Sequence, residues 1–192
     1  MQDNAYLKCI NPKCSLEYPI SSTNVQCEKG HVLDVKYKNK SSPNLKETFY
    51  QRRNSKGSIF NESGVWRFRE LLNFCQIDTE DNDECAKFLV SLDGAEGRQS
   101  KPYQMSKAAE FIGINKEGLW LQPEGYNPSG SFKDNGMATA VTHAKLVGAK
   151  KIVCASTGNT SASAGMFAAN EGIKCDVYIP AGQIAPGKLS QA

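Results

Sequence analysis

A strand–helix–strand pattern in the last third of the chain limits its fold more than any other feature. Residues 151–155 and 174–179 are short β-rich runs, and an Ala-rich segment of helical length, ending near Gly172, separates them. Another predicted helix precedes the first run and stops at Gly148, a typical carboxyl-terminal glycine. Strands joined by helices of this length pair in parallel through right-handed crossovers. We therefore predict an α/β fold, an open parallel sheet with flanking helices.

Residues 123–137, PEGYNPSGSFKDNGM, predict a loop that delivers one lysine to the first turn of a helix. Its Asn-Pro and Ser-Gly dipeptides favour turns and prevent regular structure before Ser131. Ser131 and Asp134 have the spacing of a capping box, so we expect the helix to start near residue 132. The free N–H groups and the helix dipole disfavour an ammonium ion there, which favours Lys133 as a neutral amine nucleophile. A solvated surface lysine is the alternative.

A second polar loop, residues 156–160, follows the strand at 151–155. An ordinary N-cap turn needs one Ser or Thr, whereas this loop has three hydroxyl residues, a glycine and an asparagine. Together with the backbone amides at the start of the next helix, these groups could bind a carboxylate or a phosphate. Ligands of open parallel sheets gather at the carboxyl ends of the strands. Because the lysine loop also follows a predicted strand, at residues 119–121, we expect both loops to meet at that edge.

The first 40 residues have a separate character. Cys9 and Cys14 flank one turn, Cys27 and His31 flank another, and the segments between and after them alternate like strands. Three thiolates and one imidazole can form a tetrahedral zinc site. The usual knuckle has two residues between its cysteines and the first pair here has four, so a zinc-ribbon-like hairpin and a metal-free hairpin with free thiols both stay open.

We accordingly predict two domains, residues 1–40 and residues 41–192. Residues 38–64, which cross the boundary of these domains, are polar and predict a connecting segment. A short helix is expected within residues 64–74, another within 105–111, and a further one from residue 187.

The composition excludes several functional classes. The chain of 192 residues carries 23 Lys and Arg against 20 Asp and Glu, and the net charge of +3 is too small to indicate nucleic acid or a membrane as the main partner. No secretory signal or membrane span is visible, and an odd number of cysteines, seven, favours thiols and metal ligands over a disulfide framework. We expect a cytoplasmic protein. Gly125 and Gly130 have the spacing of a Walker loop, but Ser131 stands where that motif needs lysine.

Together these motifs resemble the pyridoxal-phosphate-dependent enzymes of the tryptophan-synthase-β fold type (fold type II). The resemblance rests on NPSGSFKD at 127–134 and ASTGNT at 155–160, with support from WRFRELL at 66–72, the cysteine hairpin, and IAPGKLSQA at 184–192. Within that fold type the residues are most similar to the enzymes that convert O-phospho-L-homoserine and water to L-threonine and phosphate.

The resemblance implies a role for each residue of the two loops. Lys133 would carry pyridoxal 5'-phosphate and later move protons. Asn159 would hydrogen-bond the 3-hydroxyl oxygen of the cofactor, and the hydroxyl residues Ser156, Thr157 and Thr160 would hold the substrate carboxylate and nearby groups. The cofactor would serve as electron sink for the reaction.

The chain departs from this family in sequence and in length. Asn135 stands where the family usually has arginine, and Lys101-Pro102-Tyr103 stands where it has Thr-Pro-Leu. Family members are much longer, and their loop for the cofactor phosphate and their hydroxyl facing the pyridine nitrogen lie beyond Ala192. Because the chain ends inside a predicted helix without a C-cap, we expect an amino-terminal fragment with weak cofactor binding and little turnover.

Three functions are weighed. The resemblance favours the threonine-forming lyase over a serine or threonine dehydratase or a cysteine synthase of the same fold type. A zinc-ribbon module that binds nucleic acid or a protein through the basic residues between 36 and 56 is a distant third. The sequence leaves the oligomeric state open, a homo-oligomer included.

Overall fold

The computed structural model describes most of the chain. The described residues are 5–38, 44–55, 57–72, 89–92, 94–95, 97 and 102–182. The helix expected from residue 187 lies outside them.

Residues 5–38 form a three-stranded antiparallel sheet, which confirms the strand-like alternation of this segment. Its strands are β1 (Ala5–Cys9), β2 (Glu17–Pro19) and β3 (Leu33–Tyr37). β1 lies in the centre, so Leu7 is opposite Tyr18 on one side and Val35 on the other. Cys9 ends β1, and the two connections, which carry Cys14, Cys27 and His31, return to the same small sheet.

Three helical pieces occupy the segment that follows. They are α1 (Leu45–Asn54), α2 (Ile59–Glu62) and a 3-10 helix at Trp66–Leu71. The prediction of a connecting segment over 38–64 is wrong for these residues, because long-range contacts stabilise a helix that its own polar sequence does not favour. The Phe49 ring packs edge-on against Phe68 with centroids 4.9 Å apart. Both guanidinium NH₂ groups of Arg52 donate to the Glu70 carboxylate.

The remaining residues contain the predicted strand–helix–strand unit. The elements are β4 (Tyr103–Gln104), α3 (Ser106–Phe111), β5 (Trp120–Leu121), a 3-10 turn at Glu124–Tyr126, α4 (Lys133–Leu146), β6 (Lys151–Ala155), α5 (Asn159–Asn170) and β7 (Lys174–Tyr178). β6 and β7 pair in parallel, as predicted. Gly148 has the positive φ of 71° that a helix-ending glycine adopts. Within the described part of the chain, no helix has both the length and the apolar character needed to cross a membrane.

The short strand before the lysine loop does not follow the prediction. β5 pairs antiparallel with β4, and among the described residues this pair is a sheet separate from β6 and β7. A two-residue strand offers too few ladder hydrogen bonds to set a sheet order by itself, and the neighbouring β4 supplies its partner. The two loops are therefore not brought together by adjacent strands of one described sheet.

The main core instead joins the two long helices to the Trp66 helix. The side chains of Trp66, Val90, Val141 and Phe167 are buried in one cluster. The indole Nε1 of Trp66 donates to the Val90 carbonyl at 2.8 Å, and the Val90 N–H donates to Thr142 Oγ1 at 2.9 Å. These bonds fix α4, and with it the lysine, relative to the amino-terminal helices.

We expect Trp66→Phe to lower the free energy of unfolding by about 2–4 kcal/mol, measured by urea denaturation. The smaller ring leaves a cavity, and the buried Val90 carbonyl loses its donor. Trp120→Phe is a matched control, because this indole also donates to a carbonyl, that of Glu117, yet its side chain is 56% exposed. The control should change stability by less than about 0.5 kcal/mol. Equal losses in both variants would contradict the role given to Trp66.

Candidate functional site

Lys133 is the first residue of α4, so the predicted position of the lysine in the first helical turn is confirmed. Its side chain is half-buried, and Nζ lies 4.7 Å from the centroid of the Phe132 ring. No carboxylate among the described residues forms an ion pair with it. The amine is thus held at a helix start and against a ring face, without a neutralising partner in the described structure.

The predicted capping box does not form. Phe132 occupies the position before the helix, and the Ser131 hydroxyl accepts a hydrogen bond from the Lys133 N–H at 3.3 Å. The Asp134 carboxylate instead accepts hydrogen bonds from two serines, Ser129 and Ser163. The Ser129 N–H donates to Oδ2 at 2.7 Å, and the hydroxyls of Ser129 and Ser163 both donate to Oδ1 at 2.5 Å.

Asp134 is the carboxylate that joins the lysine loop to α5. It is fully buried, and Ser163 belongs to the second turn of the other helix. A carboxylate out of water is tolerated only when hydrogen bonds compensate its lost hydration, and three donors do so here. The residue next to the lysine therefore fixes where the lysine loop sits.

A second polar network closes the other side of the lysine loop around Asn127. This buried amide donates from Nδ2 to the Ser131 carbonyl at 3.0 Å and to Glu124 Oε2 at 2.8 Å, and its Oδ1 accepts from the Gly97 N–H at 2.9 Å. Asn135 also donates to Glu124 Oε2, at 3.1 Å. The Oδ1 of Asn135 is buried without a hydrogen-bond partner among the described residues. Sequence reasoning assigned Asn127 only to a turn, since nothing local signals these longer contacts.

The Ser156–Thr160 loop leads from β6 into α5 as predicted. The Ser156 hydroxyl accepts from the Gly158 N–H at 3.3 Å, and the Gly158 carbonyl accepts from the Ser161 hydroxyl at 2.6 Å. Ser156, Thr157 and Thr160 are half-buried and Asn159 is exposed. The loop therefore presents hydroxyl and amide groups near its surface at the start of a helix, an arrangement suited to an anion.

Helix packing brings the two loops to the same end of the α4–α5 pair. Ser163 follows Asn159 by four residues, so the two lie on one face of α5 about one turn apart. Its hydrogen bond to Asp134 at 2.5 Å then sets the first turn of α4 beside the first turns of α5. A buried side-chain hydrogen bond thus links the helix that Lys133 begins to the helix that follows the Ser156–Thr160 loop, where the sequence predicted a shared sheet edge.

The four predicted metal ligands also meet in space. The Sγ atoms of Cys9, Cys14 and Cys27 and a ring nitrogen of His31 all lie within 4.8 Å of one another. The Cys9 and Cys27 sulfurs are 3.7 Å apart, and Cys9 Sγ lies 3.5 Å from His31 Nδ1. Tetrahedral zinc with bonds of about 2.3 Å to sulfur and about 2.0 Å to nitrogen separates sulfurs by about 3.8 Å and sulfur from nitrogen by about 3.5 Å. The Cys9–Cys27 and Cys9–His31 separations fit that geometry.

The surroundings of the cluster act differently on its thiols, since burial raises the pKa of the Cys9 thiol. Burial raises the pKa of the Cys27 thiol, but hydrogen bonds, above all from the backbone at His31 and Lys29, outweigh burial and lower the pKa to about 7. The side-chain amide of Asn11 lies 3.1 Å from His31 Nε2, so it holds the ring with Nδ1 toward the thiols. A thiolate-forming cysteine and an oriented imidazole are what a metal ion requires.

Comparison with known proteins places these features in a family. Residues 98–192 match the family described as pyridoxal-phosphate dependent enzyme. Threonine synthase of Methanocaldococcus jannaschii is 37% identical over 185 residues, which are 96% of this chain and 40% of that protein. Threonine synthase of Bacillus sp. (strain ULM1) is 62% identical over 74 residues, which are 38% of this chain and 21% of that protein. Threonine synthase of Methanosarcina acetivorans is 49% identical over 90 residues, which are 47% of this chain and 22% of that protein.

The family match includes both loops of the candidate site. The chain spans 40% of the length of the Methanocaldococcus relative, and the shorter matches reach identities of 62% and 49%. The part of this chain that matches pyridoxal-phosphate-dependent enzymes, residues 98–192, thus contains the lysine at a helix start and the donor-rich loop.

Proposed function

We propose that this chain is part of a threonine synthase, a lyase that converts O-phospho-L-homoserine and water to L-threonine and phosphate. The observation that carries the proposal is the buried Asp134–Ser163 hydrogen bond, which holds Lys133 beside the hydroxyl-rich start of α5. The names of the relatives support the choice of substrate, since all three compared above are threonine synthases.

The residues of the two loops fit pyridoxal phosphate, which supplies an electron sink when bound. Lys133 Nζ, half-buried and without a carboxylate partner in the described residues, would hold the cofactor and then take up and return protons. The exposed amide of Asn159 would hydrogen-bond a ring oxygen of the cofactor. The half-buried hydroxyls of Ser156, Thr157 and Thr160 would bind the substrate carboxylate and nearby groups.

The finer fold assignment is part of the same proposal. The parallel pairing of β6 with β7 around α5 supports an open parallel sheet of the tryptophan-synthase-β type for residues 41–192. The antiparallel sheet supports a separate unit within residues 1–40. A cytoplasmic location agrees with the five described cysteines, which are all free thiols.

We also propose zinc at Cys9, Cys14, Cys27 and His31, in a zinc-ribbon-like hairpin. The sulfur–sulfur and sulfur–nitrogen separations support this ion, as does the burial of the three thiols. With four protein ligands the site has no open position, so its role is structural.

Borohydride trapping tests the lysine assignment. The protein is mixed with pyridoxal phosphate, reduced, and digested, and the modified peptide is mapped by mass spectrometry. We expect the label at Lys133, absent from Lys133→Ala and retained in Lys116→Ala, whose lysine is exposed and pairs with Glu110. Labels scattered over surface lysines and unchanged in Lys133→Ala would contradict the assignment.

Product analysis tests the reaction in a chain extended past Ala192. We expect phosphate release from O-phospho-L-homoserine, and Lys133→Ala should lower its rate by about a thousandfold or more because the proton-transfer group is lost. Formation of a keto acid from serine or threonine, without phosphate release, would instead identify a dehydratase.

A further inference from the structure

A cavity of about 800 Å³ lies between α1 and the Trp66 helix, apart from the lysine. Three cationic side chains line it, Lys46, Arg53 and Arg67, together with the aromatic rings of Phe49 and Phe68. The rings contact each other edge-on, so they form a rigid apolar wall below the charges. A cavity with this lining is suited to a small anion.

Arg67 is the residue whose hydrogen bonding is least satisfied at this cavity. Its Nε is buried without a hydrogen-bond partner among the described residues, and its guanidinium lies 5.4 Å from the Phe68 ring centroid. Burial lowers the pKa of Arg67, and the positive charge of Arg53 lowers it further. The partly desolvated Arg67 guanidinium beside the positive charge of Arg53 is stabilised by an anion.

Arg52, the neighbour of Arg53 in sequence, has its positive charge compensated by a carboxylate. Arg52, on the same helix as Arg53, donates to both oxygens of the Glu70 carboxylate. Arg53 and Arg67 form no ion pair among the described residues. The one carboxylate among the described lining residues is Glu47, and its Oε1 accepts a hydrogen bond from Gln51 at 3.1 Å. The described lining thus has two positive charges in excess.

We propose that this cavity binds a phosphate group, as the free dianion or as a phosphate monoester. Planar guanidinium groups donate paired hydrogen bonds that match phosphate oxygens, and a dianion balances the two excess charges. Gly97 also lines the cavity, and its N–H donates to Asn127 of the lysine loop at 2.9 Å. An occupied cavity would therefore stabilise the segment on which that loop rests.

Isothermal titration with inorganic phosphate, at an ionic strength kept constant with potassium chloride, tests the site. Arg67→Met should weaken phosphate binding by about tenfold or more, since a charge-assisted pair of hydrogen bonds is lost. Arg53→Met is the second variant, because Arg53 is exposed and its replacement should not disturb folding. Lys116→Met removes an exposed positive charge outside the cavity and should leave binding unchanged.

One further measurement distinguishes a phosphate monoester from free phosphate as the ligand. A second distinguishes binding in the cavity from binding at the Lys133 site. Binding of O-phospho-L-homoserine but not of L-homoserine, weakened in Arg67→Met and retained in Lys133→Ala, would identify a monoester site in the cavity. Binding of inorganic phosphate alone, with the same dependence on Arg67, would identify a free-phosphate site, and both results support the proposal. Lys133→Ala should retain phosphate binding, because Lys133 does not line the cavity. Loss of binding in Lys133→Ala with retention in Arg53→Met and Arg67→Met would overturn the proposal and leave the lysine assignment standing. Phosphate that binds no better than chloride would also overturn it.

Discussion

Removal of zinc with a chelator is expected to unfold the antiparallel sheet of residues 5–38. Three of the buried residues of this segment are the proposed ligands Cys9, Cys14 and Cys27 themselves, and Ala5 and Ile20 are the other buried apolar residues described there. So small a core cannot offset the conformational entropy of the chain, and in such units metal-binding free energy is folding free energy. Metal analysis, with circular dichroism before and after chelation, measures the effect.

A pair of cysteine variants provides the control for the zinc site. Cys27→Ser should weaken zinc binding by more than the about 10–100-fold that loss of an outer-shell partner costs, because a direct ligand is removed. Cys154→Ser replaces a cysteine of β6 outside the cluster and should keep the full zinc content. A protein that contains no zinc, or equal loss in both variants, would rule out the site.

Local patterns in the sequence predicted the elements whose determinants are local. The β6–α5–β7 unit follows from two β-rich runs, and Gly148 and Gly172 stand with φ of 71° and 64° after the helices. The grouping of Cys9, Cys14, Cys27 and His31 was also predicted, although four residues separate the first two cysteines. The turn that returns Cys14 to Cys9 explains this, since the Cys14 N–H donates to the Asn11 carbonyl at 2.9 Å.

Elements fixed by distant partners could not be predicted in this way. α1 is polar, and its helix is stabilised by contacts with another part of the chain. The Phe49 ring packs against Phe68, and Arg52 donates hydrogen bonds to Glu70. The position of Lys133 follows from turn residues and was predicted. The role of Asp134 was not, because its partner Ser163 lies 29 residues further along the chain. A short-range capping box was the only interaction that local spacing could suggest.

Asp134→Asn is expected to lower the free energy of unfolding by about 2–3 kcal/mol and to loosen the lysine loop. An amide has the shape of the carboxylate but only one acceptor oxygen, so its NH₂ group faces at least one of the three donors from Ser129 and Ser163, and buried donors lose their partner. Urea denaturation measures the stability, and hydrogen exchange at the Ser129 amide reports the loop. Asp176→Asn is the matched control: its carboxylate is 44% exposed and pairs with Lys151, so the change should stay below about 0.5 kcal/mol.

Variants of the hydrogen-bond partners of Asp134 test whether its effect on stability comes from these hydrogen bonds. Ser163→Ala removes one of three donors and should cost about 1 kcal/mol. In the double variant Asp134→Asn/Ser163→Ala the costs should not add, because both changes disturb the same hydrogen-bond network. Asp134→Asn should also reduce labelling of Lys133 by pyridoxal phosphate and borohydride more than Ser163→Ala does, since Asp134 bonds both Ser129 in the loop and α5, whereas Ser163→Ala removes only the bond to α5. Additive costs, or a lysine labelled equally in every variant, would mean that Asp134 does not position the lysine.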